Sequence, residues 1–246
     1  RNMWCRRAAS APGVVLCLLV RCRLCSAANL LDDTFDYSNP AYWDNRYSKQ
    51  DGTYDWYNIK WSALSKVLQG HVREEHHVLH LGTGNSALPE QMYKAGFHNQ
   101  VATDISETVI TKMQGKLGHL APGLQFRVED ATRTGFEAAS FDVVVEKGTL
   151  EALAADRDCA LTESGCEMLL AEKSVVLESF RLLRPGGLFV SVTDEFKPFA
   201  ELAKNGLERI ETRGLDAVDG IPMKRTLYLC FKKGSESTAG GAHLEV

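Results

Sequence analysis

Short apolar runs alternate with amphipathic segments through the middle of the chain. This alternation predicts βαβ units, in which helices cover both faces of a mostly parallel sheet. Three consecutive valines at 143–145 are typical of a strand buried on both faces. The predicted strands comprise residues 77–81, 100–104, 124–129, 141–146, 188–193, 207–213 and 226–232. The last two are expected to close the sheet with an antiparallel strand, so the pattern predicts a seven-stranded, Rossmann-like α/β fold.

The amphipathic segments predict the helices that cover this sheet. They comprise residues 59–68, 87–95, 106–117 and 168–183. Ser106 is a predicted N-cap, because its hydroxyl can accept a hydrogen bond from a free amide in the first helical turn. The fourth helix is expected to end at Pro185-Gly186-Gly187, since proline and glycine stop a helix.

The chain divides into four predicted segments. Residues 1–31 carry five arginines and no acid, 32–70 carry an aromatic lid and a helix, 71–233 form the α/β domain, and 234–246 have the composition of a disordered tail. The acid-free start resembles a mitochondrial transit peptide, and its apolar core at 11–20 resembles that of a signal peptide. This core is much shorter than the ~20 residues that cross a bilayer, so no stable membrane span is predicted.

The charge and the cysteine spacing indicate whether nucleic acids or metal ions are expected to bind. The net charge is −4 although the first 31 residues hold five arginines, so the rest of the chain is markedly acidic. An excess of lysine and arginine binds nucleic acid phosphates, so no nucleic acid partner is expected. Cys22 and Cys25 have a C-x-x-C spacing, but no second pair follows. We therefore predict no metal site, and unpaired thiols.

Glycines follow the first predicted strand. Residues 82–87 match G-x-G-x-x-A, in which glycines let the backbone turn tightly and approach a ligand. Asp104 lies about 20 residues beyond, at the end of the second strand, where a carboxylate can accept both hydroxyl protons of a ribose. The glycines alone would fit a structural turn equally well. Gly82, Gly84 and Asp104 together predict a nucleoside site.

Polar residues also follow the third and fourth strands, at the edge where such sheets bind ligands. Asp130 and Ala131 follow the third strand, beside the expected position of a nucleoside base. Asp130 could accept a hydrogen bond from an exocyclic amine, or it could be a solvated turn residue. Glu146 and Lys147 follow the three valines, and burying such charges without partners is costly. They therefore lie either at the mouth of a cleft or in a structural ion pair.

An aromatic cluster precedes the domain. Its six tyrosines and tryptophans are Tyr42, Trp43, Tyr47, Tyr54, Trp56 and Tyr57. One interpretation is a hydrophobic strap across the core. The other is a lid whose rings stack on a nucleoside or on a cation. The two interpretations are compatible.

Several motifs resemble those of one enzyme family. They are Tyr42-Trp43-Asp44-Asn45-Arg46-Tyr47, Tyr54-Asp55-Trp56-Tyr57, residues 81–88, Asp104-Ile105-Ser106, residues 141–153 and residues 183–187. Through them the chain is similar to the small methyltransferase-like protein-lysine methyltransferases, above all to those that act on elongation factor 1-alpha. It is more distantly similar to the mitochondrial citrate synthase lysine methyltransferase. The stretch from Glu146 to Leu150 is far more specific than the glycine loop.

The resemblance implies a class I methyltransferase fold, S-adenosyl-L-methionine as the methyl donor and a protein lysine as the acceptor. It also implies donor contacts from Trp43, Tyr47, Trp56, Gly82, Asp104, Ile105, Asp130, Ala131 and Lys147. The methyl group would pass directly from a sulfonium to a neutral amine, so the protein mainly orients and desolvates the reactants. No dedicated catalytic base is assigned. Thr83 stands where the family usually has cysteine, and the match thins beyond Thr193, where the acceptor groove is shaped.

Other functions fit parts of this pattern. A small-molecule methyltransferase would share the fold but would lack a groove for a polypeptide. A dinucleotide oxidoreductase would share the glycine loop and Asp104, but it would need a second mononucleotide-binding half. A non-catalytic module that binds the donor would also share the loop. The resemblance favours the cytoplasm as the compartment, whereas a working transit peptide at 1–31 would favour mitochondria.

Overall fold

The computed structural model describes residues 39–154, 161–162, 165–166, 170–193, 199, 206–215 and 225–234. The predicted leader at 1–31 lies outside the described residues, as do 235–246 of the predicted tail and the first two positions of the helix predicted at 168–183. Within the described ranges, no helix combines the length and apolarity needed to cross a membrane.

Most of the strands form one mixed sheet. In chain order they are β1 (Val78–Leu81), β2 (Gln100–Asp104), β3 (Leu124–Val128), β4 (Phe141–Lys147), β5 (Leu161–Thr162), β6 (Gly165–Cys166), β7 (Leu183–Thr193), β8 (Leu207–Leu215) and β9 (Arg225–Lys232). Seven of them lie in the order β3-β2-β1-β4-β7-β9-β8, while β5 and β6 pair separately. Neighbours from β3 to β7 are parallel, whereas β9 is antiparallel to β7 and β8. The predicted seven-stranded sheet with an antiparallel strand is confirmed.

The helices are placed largely as the amphipathic pattern predicts. They are α1 (Pro40–Ser48), α2 (Trp61–Leu68), α3 (Leu88–Lys94), α4 (Glu107–Leu117), α5 (Thr149–Ala154) and α6 (Leu170–Leu182). The predicted cap of α4 is confirmed, since Ser106 Oγ accepts a hydrogen bond from the Val109 amide at 3.3 Å. Helices α1 and α5 have no counterpart among the predicted helices.

Strand β7 is longer than the strand predicted at 188–193. It begins at Leu183 and includes Pro185-Gly186-Gly187, the motif that was expected to separate helix from strand. Phe141 on β4 pairs with Leu183, and the register then shifts before the next pair. Gly186 has a φ of +78°, which glycine adopts easily, and proline is tolerated at a bulge because it has no N–H to donate. The helix α6 ends at Leu182, before the motif, so the expectation that the motif separates helix from strand is wrong and the motif forms a bulge within β7.

The core occupies both faces of the sheet. Val143 and Val145 pack in a cluster with α2 and α3, while Val144 packs in a second cluster with α6. This alternation is the period of two that a strand imposes on its side chains. A third cluster joins α1 and α4 to β2 and β3. With both faces covered, the carboxyl ends of the parallel strands form the open edge at which a ligand can enter.

Candidate functional site

A cavity that opens to solvent, with about 630 Å³ of empty space including its open mouth, lies at the carboxyl ends of the parallel strands. It is lined by Trp43, Tyr47, Trp56, Gly82, Asp104, Ile105, Glu129, Asp130, Ala131, Thr132, Lys147, Gly148, Thr149, Ala152 and Leu153. Nine of the ten site residues predicted from sequence are in this set, and Gly84 is the exception. Loops after β1, β2, β3 and β4 thus converge on one site, together with an aromatic wall from the N-terminal side.

The glycine loop supports the cavity by turning sharply between β1 and α3. Gly82 and Gly84 have φ values of +60° and +53°, in the left-handed region that favours glycine. The Gly84 amide donates a hydrogen bond to Asp104 Oδ2 at 2.8 Å. A Cβ atom added to Gly84 would lie 2.5 Å from the hydroxyl oxygen of Tyr47. Gly84 therefore orients Asp104 through its amide and leaves room for Tyr47, although it does not line the cavity itself.

Asp104 is the buried carboxylate of the site. Its side chain ends β2 and is only 7% exposed. Besides the Gly84 bond to Oδ2, its Oδ1 accepts a hydrogen bond from the Ser106 amide at 3.0 Å. Burial raises the pKa of Asp104 to about 6, and the backbone hydrogen bonds act in the opposite direction. A fixed carboxylate with further acceptor positions suits a ligand that presents hydroxyl donors.

Three rings of the aromatic cluster line the cavity. Trp43 and Tyr47 lie on α1 with their ring centroids 5.8 Å apart, and Trp56 lies on a short 3₁₀ turn at Trp56–Asn58. Trp43 and Tyr47 are also buried in the core cluster of α1 and α4. Burial raises the pKa of the Tyr47 phenol, so this ring is neutral at physiological pH. The same rings pack on the core and line the cavity, which agrees with the strap interpretation, and stacking on a bound ligand stays a prediction.

A cation already contacts this aromatic wall. The guanidinium carbon of Arg46 lies 5.5 Å from the ring centroids of both Trp43 and Trp56 and 5.8 Å from that of Tyr54. Cation–π attraction of this kind is worth ~0.5–2 kcal/mol, depending on exposure. Arg46 therefore links α1 to the segment that carries Trp56.

Lys147 connects β4 to the aromatic segment. Its ammonium donates a hydrogen bond to the Trp56 carbonyl at 3.2 Å and pairs with Asp55 Oδ1 at 3.4 Å. Burial lowers the pKa of Lys147, and Asp55 opposes this by favouring the charged form. Asp55 also accepts hydrogen bonds from the Ser86 hydroxyl and, at 3.4 Å, from the Ala87 amide. Asp55 was not predicted, yet it joins the aromatic segment to the glycine loop and to β4.

Glu146 is a structural residue behind the cavity. It is fully buried and accepts hydrogen bonds from the Ser191 hydroxyl and from the amides of Thr149 and Leu150 at 3.2 and 3.4 Å. These amides begin α5, where a helix leaves its N–H groups without partners in the chain's own backbone. Glu146 thus fixes α5, which supplies Thr149, Ala152 and Leu153 to the cavity wall.

The loop after β3 forms the acidic side of the cavity. Asp130 Oδ1 accepts hydrogen bonds from the amide and the hydroxyl of Thr132 at 2.8 and 2.7 Å, which makes it a turn residue that also lines the cavity. Glu129 and Thr132 were not predicted, although their position directly beyond β3 is a usable signal. Among the residues that the structure describes, no group of three or more histidines, cysteines and acids could hold a metal ion.

Comparison with known families agrees with this geometry. A family model described as a methyltransferase domain matches residues 73–222. The chain belongs to this methyltransferase family. A dinucleotide-binding sheet typically has six parallel strands, whereas the methyltransferase domain has the antiparallel β9 between β7 and β8. The oxidoreductase hypothesis is therefore not favoured.

Curated relatives of the domain carry lysine methyltransferase names. The chain is 36% identical over 159 residues to the eEF1A lysine and N-terminal methyltransferase of Danio rerio, and this match covers 64% of this chain and 21% of that protein. It is 35% identical over 170 residues to EEF1A lysine methyltransferase 4 of Mus musculus, and this match covers 68% of this chain and 66% of that protein. The chain thus spans less than two thirds of the length of these relatives. The predicted family resemblance is confirmed.

Solved structures share the fold at low sequence identity. One concerns the conversion of a disulfide bond into a thioacetal group during echinomycin biosynthesis; its TM-score is 0.56 at 16% identity, and the match covers 81% of this chain and 94% of that one. Another is the phosphoethanolamine N-methyltransferase 2 of Haemonchus contortus with S-adenosylhomocysteine, with a TM-score of 0.51 at 12% identity over 70% of this chain and 52% of that one. The predicted class I methyltransferase fold is confirmed.

Proposed function

We propose that this chain is an S-adenosyl-L-methionine-dependent protein-lysine N-methyltransferase whose acceptor is elongation factor 1-alpha. The observation that carries the proposal is the cavity at the carboxyl ends of the strands, with the buried Asp104 carboxylate in its wall. The names of the curated relatives support lysine as the acceptor group and this factor as the acceptor protein, in preference to citrate synthase or a small molecule.

The residues of the cavity fit the methyl donor. Its lining combines a buried carboxylate with aromatic rings and backbone of the glycine loop, which is the mixture of apolar walls and a few placed polar groups that ligand sites have. A carboxylate has about four acceptor positions, and backbone amides occupy only some of those on Asp104, so two ribose hydroxyls can bind there. Ile105, Asp130 and Ala131 would hold the base. Trp43, Tyr47, Trp56 and Lys147 would enclose the remainder of the donor.

The side chains of the site perform orientation, attraction and desolvation. S-adenosyl-L-methionine supplies a methyl group on a sulfonium, with its own leaving group. The acidic, aromatic-lined cavity attracts the ammonium of an acceptor lysine. Exclusion of water by the rings of Trp43 and Trp56 then disfavours the charged amine, which loses its proton to solvent before transfer. Transfer would replace the carbon–sulfur bond of the donor by a bond from that carbon to the acceptor nitrogen, so the residues of the site would hold the two reactants in line, and no enzyme base is assigned.

The decisive experiment is product analysis with a defined acceptor. The protein is incubated with isotopically labelled donor and purified elongation factor 1-alpha, and the modified peptides are sequenced by mass spectrometry. We expect label on a lysine side chain, and much less label with a folded Asp104→Ala variant at a donor concentration that does not saturate the variant. Label on arginine, on a carboxylate or on a free metabolite would contradict the assignment. If the protein binds the donor but does not label elongation factor 1-alpha, the proposed acceptor is refuted and the proposed donor still stands.

We propose the cytoplasm as the compartment, since this agrees with the proposed acceptor. A fluorescent reporter fused behind residues 1–31 tests the alternative directly. Diffuse fluorescence is the expected result. Import of the reporter into mitochondria would identify residues 1–31 as a transit peptide and would make a mitochondrial protein the acceptor to test first.

A further inference from the structure

Helix α1 depends on other parts of the domain for its position. It has only nine residues, and helices shorter than ~12 residues are marginal on their own in water. Yet α1 supplies both Trp43 and Tyr47 to the cavity wall. Whatever holds α1 therefore also sets the shape of the cavity.

One contact that fixes α1 lies at the start of α4. Asp44, on α1, accepts two hydrogen bonds with Oδ1, from the Ser106 hydroxyl at 2.6 Å and from the Thr108 amide at 3.0 Å. The free amides at the start of a helix favour a negative charge, so this carboxylate caps α4 from another helix. The Ser106 amide in turn donates to Asp104 Oδ1. A single residue, Ser106, thus connects Asp44 with the carboxylate of the donor site.

A second contact between α1 and α4 lies one helical turn further along α4. The Lys112 ammonium donates hydrogen bonds to the carbonyls of Tyr47 at 2.7 Å, Gln50 at 3.1 Å and Ser48 at 3.5 Å. The Tyr47 and Ser48 carbonyls lie in the last turn of α1 and Gln50 lies two residues beyond it, at the end of the helix that favours a positive charge. Each helix therefore caps the other: α1 supplies an acid to the start of α4, and α4 supplies a base to the end of α1.

From this geometry we infer that Asp44 and Lys112 are positioning residues of the donor site. We name their two contacts the helix clamp. The clamp fixes α1 so that Trp43 and Tyr47 complete the cavity wall, and through Ser106 it steadies Asp104. The inference rests on the proposed function in taking the cavity as the donor site, and neither clamp residue lines that cavity.

The test combines donor affinity with exchange of backbone amides. Affinity for S-adenosylhomocysteine is measured by calorimetry, and hydrogen–deuterium exchange is followed over residues 40–50 without ligand. Asp44→Ala should weaken binding about 10-fold, because hydrogen bonds to a charged group are lost. Lys112→Met should weaken it only about 3-fold, because the Lys112 side chain is 40% exposed and screened. Both changes should accelerate exchange in α1.

Matched variants separate positioning from general stability. Asp44→Asn keeps an oxygen acceptor and should retain affinity within about 3-fold. Lys116→Met removes the same charge one turn further along α4 and should leave affinity and exchange unchanged. Faster exchange of α1 with unaltered affinity would refute the positioning role, and unaltered exchange in both clamp variants would refute the clamp. Absence of binding by the unaltered protein would instead refute the proposed function. Lys112 is a surface residue, so its variant keeps the test decisive even if Asp44→Ala fails to fold.

Discussion

Acidification should weaken donor binding, because Asp104 must be ionised to accept two hydroxyl protons. Burial raises its pKa from an ordinary 3.8 to about 6, which corresponds to about 3 kcal/mol against the charged form in the free protein. If only the ionised form binds, the apparent affinity scales with the ionised fraction. We therefore expect about 10-fold weaker binding at pH 5 than at pH 7, and the release of up to one proton per ligand bound near pH 5.

The same shift has a defined sign for stability. The pKa of Asp104 is higher in the folded protein than its ordinary value. Its contribution to the free energy of unfolding of the ligand-free protein is therefore fully present below about pH 4 and is lost as the pH rises through about 6. A bound donor reverses this by favouring the carboxylate. Donor-induced stabilisation should consequently grow between pH 5 and pH 7.

Calorimetry with S-adenosylhomocysteine from pH 5 to pH 8 provides the assay, in two buffers of different ionisation enthalpy so that proton release is measured directly. Asp104→Asn is the control, since its weaker binding should be independent of pH in this range. Burial lowers the pKa of His80 to about 4, so this residue does not titrate within the window. Equal affinity of the unaltered protein at pH 5 and pH 7 would refute the proposed role of the Asp104 carboxylate.

Further substitutions test Asp104, the glycine loop and the aromatic wall. Asp104→Ala should weaken donor binding about 30-fold or more while leaving the fold intact, because charge-assisted hydrogen bonds contribute ~1.5–3 kcal/mol each before compensation; unchanged calorimetric affinity would contradict this. Gly84→Ala should cost ~1–2 kcal/mol of stability at its positive φ and displace Tyr47, and Tyr47→Phe should partly restore the melting temperature by removing the clashing hydroxyl. Trp56→Ala should lower both donor affinity and turnover, whereas a purely structural strap predicts a lower melting temperature with unaltered kinetics.

The sheet could be predicted closely because its central strands are buried on both faces. β2 has the bounds expected from sequence, and β1 and β4 each differ by one residue. Continuous apolar runs that end at a glycine or a charge leave little freedom for strand limits. The bulge in β7 was missed because its local sequence is ambiguous. Pro-Gly-Gly can end a helix or form a bulge in a strand, and only the pairing register with β4 distinguishes these two structures.

The parts of the site that were missed depend on contacts between distant residues. Helix α1 lacks a clear apolar face, and its best local signal is the Asn39-Pro40 start, where Asn39 caps the Ala41 amide at 2.9 Å. Asp55 pairs with Lys147, which lies 92 residues further along the chain, so no local spacing reveals it. Sequence motifs located the loops of the cavity, whereas the ion pairs that join those loops required the fold.

The stretch from Glu146 to Thr149 shows why a motif of this kind is more specific than a glycine loop. Side chains of consecutive strand residues point to opposite faces, so Glu146 is buried against α5 while Lys147 lies in the cavity wall and pairs with Asp55. The two sequence alternatives, a cleft and an ion pair, therefore both describe Lys147, whereas Glu146 accepts hydrogen bonds from Ser191 and from the start of α5. Gly148 has a φ of +82°, and a Cβ there would lie 3.3 Å from Trp56. The Thr149 hydroxyl donates to the Leu81 carbonyl at 3.0 Å. Each residue of the stretch is therefore constrained by a different neighbour, so a change at any one of them alters either α5, the aromatic wall or the end of β1.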